Sequence, residues 1–287
     1  MPIRRSFLLA AFVAWFCVGC EASFDPFEES DVTFSLFGYL DVAADTQYVR
    51  VNELQRTVGS DAPVAATVTL EDLERGTTVT LQDTLLRFGN GVSAYAFWTA
   101  QPVAPSTPYR ILADSPDGND ASVTLRTPAL IPNPMLETGL SPFSSAEFPP
   151  TSQSMTITDA VKLVDLRITY RLTEPTRTLT LSYLDRVQLT PDGTFSLAFS
   201  SYNDVQRALG GGDGTACPGL SSARVFLGVS TEEWPDFPLF TTEELAIPTT
   251  VTNVEGGFGY VGGVLIMEYE WTALSGAFFF NQQSCLG

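Results

Sequence analysis

Apolar and polar residues change places at every second position along much of this chain. Residues 32–40 follow this rhythm. Tyr48, Arg50 and Asn52 then interleave with Val49 and Val51, and Ala66, Val68 and Leu70 interleave with Thr67 and Thr69. A period of two sends alternate side chains to opposite faces of an extended backbone, so each stretch predicts a half-buried strand. The pattern continues through 77–81, 93–98, 109–113 and 122–126. Turn formers separate these stretches at Glu74-Arg75-Gly76, Gly89-Asn90-Gly91 and Pro116-Asp117-Gly118-Asn119. About seven short strands at this spacing, with no helical period, predict an all-β immunoglobulin-like β-sandwich over residues 32–127.

The rhythm breaks at 128–154, where Pro128, Pro132, Pro134, Pro142, Pro149 and Pro150 crowd one stretch. Proline removes ladder donors and biases the residue before it toward extended geometry, so this reads as a linker or crossover. Alternation resumes in 161–172 and 176–189, and Pro191-Asp192-Gly193 turns the chain into 194–200 as a hairpin. A short helix is expected at 203–209, followed by a glycine-rich loop at 210–219 and strands at 224–229, 264–271 and 277–280. The expectation for 155–287 is a second β-rich module, sandwich or barrel-like, with at most short helices.

The N-terminus has a different character. Arg4 and Arg5 precede an apolar run over 6–18, Gly19 is small, and Cys20 opens an acidic stretch containing Pro26. The run is too short to span a bilayer, which takes about 20 residues, and the whole has the layout of a secretory signal. It resembles a bacterial lipoprotein signal, with cleavage after residue 19 and acylation of Cys20; Cys17 follows the bulky Trp15 and Phe16 and suits the protease less well. Residues 1–19 are then a signal peptide and 20–31 a lipidated flexible tether. The expected location is the cell envelope, most simply the outer membrane, with membrane lipid as the first partner.

The formal charge of −18 repels phosphate backbones, so nucleic acid is not an expected partner. Bases are scarce, with Lys162 the only lysine. Beyond the signal region the cysteines are Cys217 and Cys285, and an exported chain with two such cysteines suggests one disulfide. On the chain-entropy account a bridge closing so long a loop contributes about 4 kcal/mol.

The chain has no histidine, which removes Ser-His-Asp and Cys-His catalysis and histidine-containing zinc sites. No cofactor or metal is expected. A carboxylate pair acting on a glycoside is the remaining catalytic option, with Glu232, Glu233, Asp236, Glu243 and Glu244 as candidates, although solvated surface explains them better. Gly257, Gly259 and Gly262 match G-x-G-x-x-G, but a strand rather than a helix follows, so nucleotide binding is rejected. Such glycines read instead as positions of positive φ or close backbone approach. Asp114, Asp117, Asn119 and Asp120 fit a hairpin turn better than a calcium loop, and Asp213 is equally uninformative.

Pro63, Val64, Thr67, Val68 and Leu70, then Tyr109, Ile111 and Leu112, then Asn253, Gly256, Gly257 and Gly259, together with Cys20, carry a family resemblance. On these positions the chain resembles domain of unknown function 4249, a family of cell-envelope lipoproteins; Thr67 stands where that family has alanine. The resemblance implies an outer-membrane lipoprotein of the kind often encoded near TonB-dependent receptors, and it brings no activity with it. Two function classes follow: a non-catalytic binding or accessory module for an envelope receptor or a carbohydrate or peptide ligand, and a carboxylate-dependent glycosidase. Trp234, Asp236, Phe237 and Phe240 form the candidate binding patch, where rings could stack on a sugar or seat in a partner groove, or else plug the end of the second core.

Overall fold

The computed structural model describes residues 33–54, 63–87, 89, 93–136, 153–173, 176–209, 220–245 and 250–271. Cys20, Cys217, Cys285, Asp213 and the strand expected at 277–280 lie outside these residues, as do the signal and tether.

The N-terminal half contributes β1 (Phe34–Asp41), β2 (Gln47–Glu53), β3 (Thr67–Asp72), β4 (Thr77–Thr80), β5 (Gln82–Arg87), β6 (Ser93–Thr99), β7 (Pro108–Asp114) and β8 (Ala121–Arg126). Next come β9 (Met135–Leu136), β10 (Gln153–Ile157), β11 (Lys162–Thr173), β12 (Thr176–Ser182), β13 (Gln188–Leu189) and β14 (Phe195–Phe199). After a helix at Ser201–Ala208 come β15 (Leu220–Ser230), β16 (Gly257–Phe258) and β17 (Val261–Trp271). The protein is all-β, an immunoglobulin-like sandwich with a second β module, and its helices are short.

One large sheet runs β12-β11-β15-β17-β1-β2-β6-β5, with β16 paired to β1 beside this path. Its halves meet where β17 pairs in parallel with β1, Gly38 opposite Val261 and Leu40 opposite Gly263, while β15 pairs antiparallel on the other side of β17. Two smaller sheets cover one face of it: β4-β3-β7-β8 over the N-terminal half and β13-β14-β10-β9 over the C-terminal half.

Each cover encloses a core. In the first, Phe34, Leu36, Val49, Val51 and Phe97 of the large sheet meet Val68, Leu70, Ile111 and Val123. In the second, Leu166, Ile168, Val225 and Leu227 meet Met155, Ile157, Leu197 and Phe199. Burying each such side chain contributes about 1.5–3 kcal/mol. Val254 and Val261, late in the chain, sit in the first core, and the described part of Val32–Gly287 forms one compact unit. Of the stretch expected as a linker, 128–134 is irregular, Met135 and Leu136 form β9, and Gln153 and Ser154 begin β10.

The strand expected over 176–189 ends at Ser182, because Tyr183 turns into the second core and a single 3-10 turn follows. Its hydroxyl shares a 2.8 Å hydrogen bond with that of Tyr170, both rings being almost wholly buried. Each phenol thus satisfies the other, since an unpaired buried hydroxyl would be costly. The hairpin through Pro191-Asp192-Gly193 does form, joining β13 to β14 with Gly193 at φ +84°.

Candidate functional site

The second face of the large sheet has no covering layer among the described residues, and its two ends differ in chemistry. Pairing defines which residues share it. Tyr39 lies opposite Tyr48, Tyr48 opposite Trp98, and Trp98 opposite Gln82, one residue on each of β1, β2, β6 and β5. In the next row Phe37, Arg50, Ala96 and Thr84 correspond. Neighbouring strands are about 4.8 Å apart, so the side chains of Tyr39, Tyr48 and Trp98 spring from adjacent positions across the sheet. Phe37, Tyr39 and Tyr48 are 47%, 46% and 48% exposed, half open to solvent even though large aromatic rings favour burial.

The row continues onto β17, where Gly262 pairs with Tyr39. Gly262 has no side chain, and the ring of Trp234 lies over it: a Cβ there would sit 2.6 Å from Trp234 Cε3 and Cζ3. Trp234 meets Tyr260 and Phe237 edge-to-face, with ring centres 5.6 and 6.2 Å away, and Phe237 meets Tyr260 at 6.2 Å. These rings are half-buried. Of the expected patch, Trp234 and Phe237 are therefore brought together, with Tyr260 as a third member. Asp236 is exposed and ion-paired to Lys162 Nζ at 2.6 Å, and Lys162 also donates to the Trp234 carbonyl at 2.5 Å. Phe240 comes after the 3-10 turn, half-buried, its amide bonded to the Phe237 carbonyl. Tyr260 donates its hydroxyl to the Glu233 carbonyl, and burial, aided by the Glu233 charge, pushes its pKa up to about 12.

Arg50 is the one exposed charged side chain that β1, β2, β5 and β6 place on this face; Asp41, also on it, is buried and accepts from the Ala43 and Ile266 amides. Among the described residues Arg50 has a single long hydrogen bond, 3.4 Å, to Asn52 two residues along. The opposite end of the sheet is ionic and threonine-rich. There Arg224 bonds Glu268 and Glu270, Arg167 pairs with Asp165 while lying over the Phe226 ring, and Thr169 bonds Thr180.

The glycine motif is a crossing point. Asn253 grips Val261 from both sides, donating to its carbonyl at 2.8 Å and accepting from its amide at 3.0 Å. Within this loop Gly259 has φ +104°, and a Cβ on it would lie 2.1 Å from the Leu36 carbonyl oxygen, so only glycine fits. Gly256 and Gly257 lie in the same loop, where β16 pairs with β1. These backbone needs account for the G-x-G-x-x-G pattern without a phosphate.

Two shallow grooves lie on the seam beside Trp234. One, of about 320 Å³, is lined by Leu125, Arg126, Glu233, Asn253 and Tyr260 among others; the second, of about 220 Å³, shares Arg126, Thr231 and Glu233 with it. Among the carboxylates considered for glycoside chemistry, Glu232 and Glu233 sit on an exposed turn. Glu244 is exposed in a reciprocal cap with Thr241, whose amide and hydroxyl hold its carboxyl below the usual range. The Glu243 side chain lies outside the described residues. Asp114 and Asp120 do face each other, and the Asp120 hydrogen bond and charge push the Asp114 carboxyl up, but both are exposed on a hairpin rim. Among the described residues no group of three potential ligands could hold a metal ion, and no helix is long and apolar enough to cross a membrane.

Phe37, Tyr39, Tyr48, Trp98 and Tyr260 were not singled out by the sequence pattern. Their signal was aromatic residues at positions alternating with core aliphatics, which tells that two faces are apolar but not which is covered.

No family model matches the chain, and no curated protein matches it. Among solved structures it is similar to an Anoxybacillus pullulanase complexed with maltotriose, at 13% identity and TM-score 0.23, over 67% of this chain and 24% of that one. The chain thus spans about a quarter of the pullulanase. It is also similar to the N-terminal Ig1-2 module of the Drosophila receptor protein tyrosine phosphatase DLAR, at 13% identity and TM-score 0.20, over 80% of this chain and 95% of that one. A third likeness is to titin domains z1z2 in complex with telethonin, at 12% identity and TM-score 0.19, over 68% and 87% of the two chains. Likenesses of this size carry no functional argument.

Proposed function

We propose that this chain is a non-catalytic binding module of the cell envelope, anchored in the outer membrane through acylated Cys20, of the domain of unknown function 4249 kind. Its half-exposed face of β1, β2 and β6 receives an envelope receptor or an extracellular ligand. The observation that carries the binding role is the row Tyr39, Tyr48 and Trp98, extended by Trp234 over Gly262, on a sheet face with no cover among the described residues. Rings held open on a rigid sheet supply contact area with little conformational entropy to lose, and aromatic anchors carry much of the energy of known interfaces. Among the described residues the β1, β2, β5 and β6 part of this face carries one acid, Asp41, which is buried and occupied by backbone amides, while Glu268 and Glu270 toward the other end are both held by Arg224.

Two experiments test the proposal. Full-length protein carrying Cys20→Ser, so that no acyl chain holds it, is incubated with envelope material from its own source; it should be retained, and the same chain with Tyr48→Ala/Trp98→Ala released. Equal retention of both would refute the binding face. Separately, Cys20→Ser should leave the protein soluble or unprocessed, and normal membrane retention of that variant would refute the anchor.

A further inference from the structure

We infer that the ligand of this face is an anionic oligosaccharide laid across the strands, its sugar rings on Tyr39, Tyr48 and Trp98 and an acidic group on Arg50; this rests on the binding role proposed above. The spacing supports a chain of rings. Tyr39, Tyr48 and Trp98 occupy one lateral register, so successive stacking positions recur at the strand separation of about 4.8 Å, a repeat that suits consecutive sugar units. Sugars present C–H-rich ring faces to aromatic faces and hydroxyls to polar neighbours, and Gln82 and Thr84 continue the two rows with side chains able to bond them.

The size of the patch also favours such a chain over a folded partner. From β17 to β5 the face is about 19 Å wide and strands of this length run about 23 Å, giving roughly 440 Å². A stable protein interface covers about 800 Å² on each partner.

The charge selects an acidic sugar. Among the described residues Arg50, in the row next to Tyr39 and Tyr48, has no carboxylate partner; this local cation acts against the general repulsion of anions by the net charge of −18. The other guanidinium on the central strands of this sheet face, Arg224, already binds two carboxylates. An exposed guanidinium with its fork open is suited to a carboxylate or sulfate, and a cation framed by rings would discriminate against uncharged chains.

The test is calorimetric titration of the full-length protein with tetragalacturonate, and with maltotetraose as the neutral counterpart. Tetragalacturonate should bind, weakening as salt rises. Tyr48→Ala and Arg50→Gln should each weaken it about tenfold, Arg50→Lys should restore part of the affinity, and Thr180→Ala at the ionic end should change nothing. Matched circular dichroism separates these losses from misfolding. Equal binding of maltotetraose, unaffected by Arg50→Gln, would overturn the anionic assignment. Absence of tetramer binding, with envelope material still retained through Tyr48 and Trp98, would overturn the sugar inference and leave the binding role standing. If neither is bound, both fall.

Discussion

Gly262 is where the candidate site depends on a missing side chain. In Gly262→Ala the new Cβ would meet two carbons of the Trp234 ring at 2.6 Å and Tyr260 Cε1 at 3.0 Å. Ordinary carbon contact begins at about 3.5 Å, so the indole must retreat by about 0.9 Å. It cannot do so freely. Its carbonyl is held by Lys162 at 2.5 Å, its ring is wedged between Phe237 and Tyr260, and Tyr260 is tied to the Glu233 carbonyl at 3.0 Å. Overpacking of this sort costs about 1–3 kcal/mol. For a chain of this size that lowers the melting temperature by about 2–5 °C. A double-mutant cycle isolates the cause: in the Trp234→Ala background the same glycine substitution should cost less than about 0.5 kcal/mol, giving a coupling above about 0.5 kcal/mol. Gly89→Ala, whose Cβ would enter open space, is the control and should be near neutral. Thermal melts of the four variants provide the values. Additive penalties would refute the placement of Trp234 over Gly262.

Tyr183→Phe should destabilise by about 1–3 kcal/mol in urea unfolding, because it leaves the Tyr170 hydroxyl buried without its partner, while the double phenylalanine variant should cost less than the two single changes together. Stability should fall in alkali. Burial raises Tyr170, Tyr183, Tyr260 and Tyr269 above their ordinary 10.0, Tyr260 to about 12, so above pH 10 the unfolded chain releases protons that the folded one keeps. This contribution is intact below pH 10 and is lost as pH rises toward and beyond 12; urea midpoints flat across that window would contradict it. Alkylation of the denatured chain without reductant should leave Cys217 and Cys285 unlabelled, and two modified thiols would refute the expected disulfide.

The strands of the N-terminal half were legible because one face of each is buried, and period two reports that directly: Val49 and Val51 go inside, Tyr48 and Arg50 outside. What joins the halves was not legible. The parallel pairing of Gly38 with Val261 links positions far apart in the chain, and no local pattern announces a partner at that distance. Tyr183 illustrates a second limit, since its side chain continues the alternation and its amide still bonds the Leu166 carbonyl, yet the backbone then turns into a 3-10 helix. The glycine motif was readable as close approach, because a run of glycines before a strand has few other uses; which ring fills the space over Gly262 required the fold. Trp234 and Phe237 stood out as a cluster along the chain, whereas Tyr39, Tyr48 and Trp98 become neighbours only through strand pairing.

Under the proposed function, one face of the large sheet is the working surface. Hydroxyl-radical footprinting of full-length protein, with and without envelope material from its own source, reads that directly through the oxidation of individual side chains. Protection concentrated on Tyr39, Tyr48 and Trp98, with Phe226 toward the other end of the same face unchanged, is the predicted result. Unaltered oxidation of those three rings while material is bound elsewhere would contradict it.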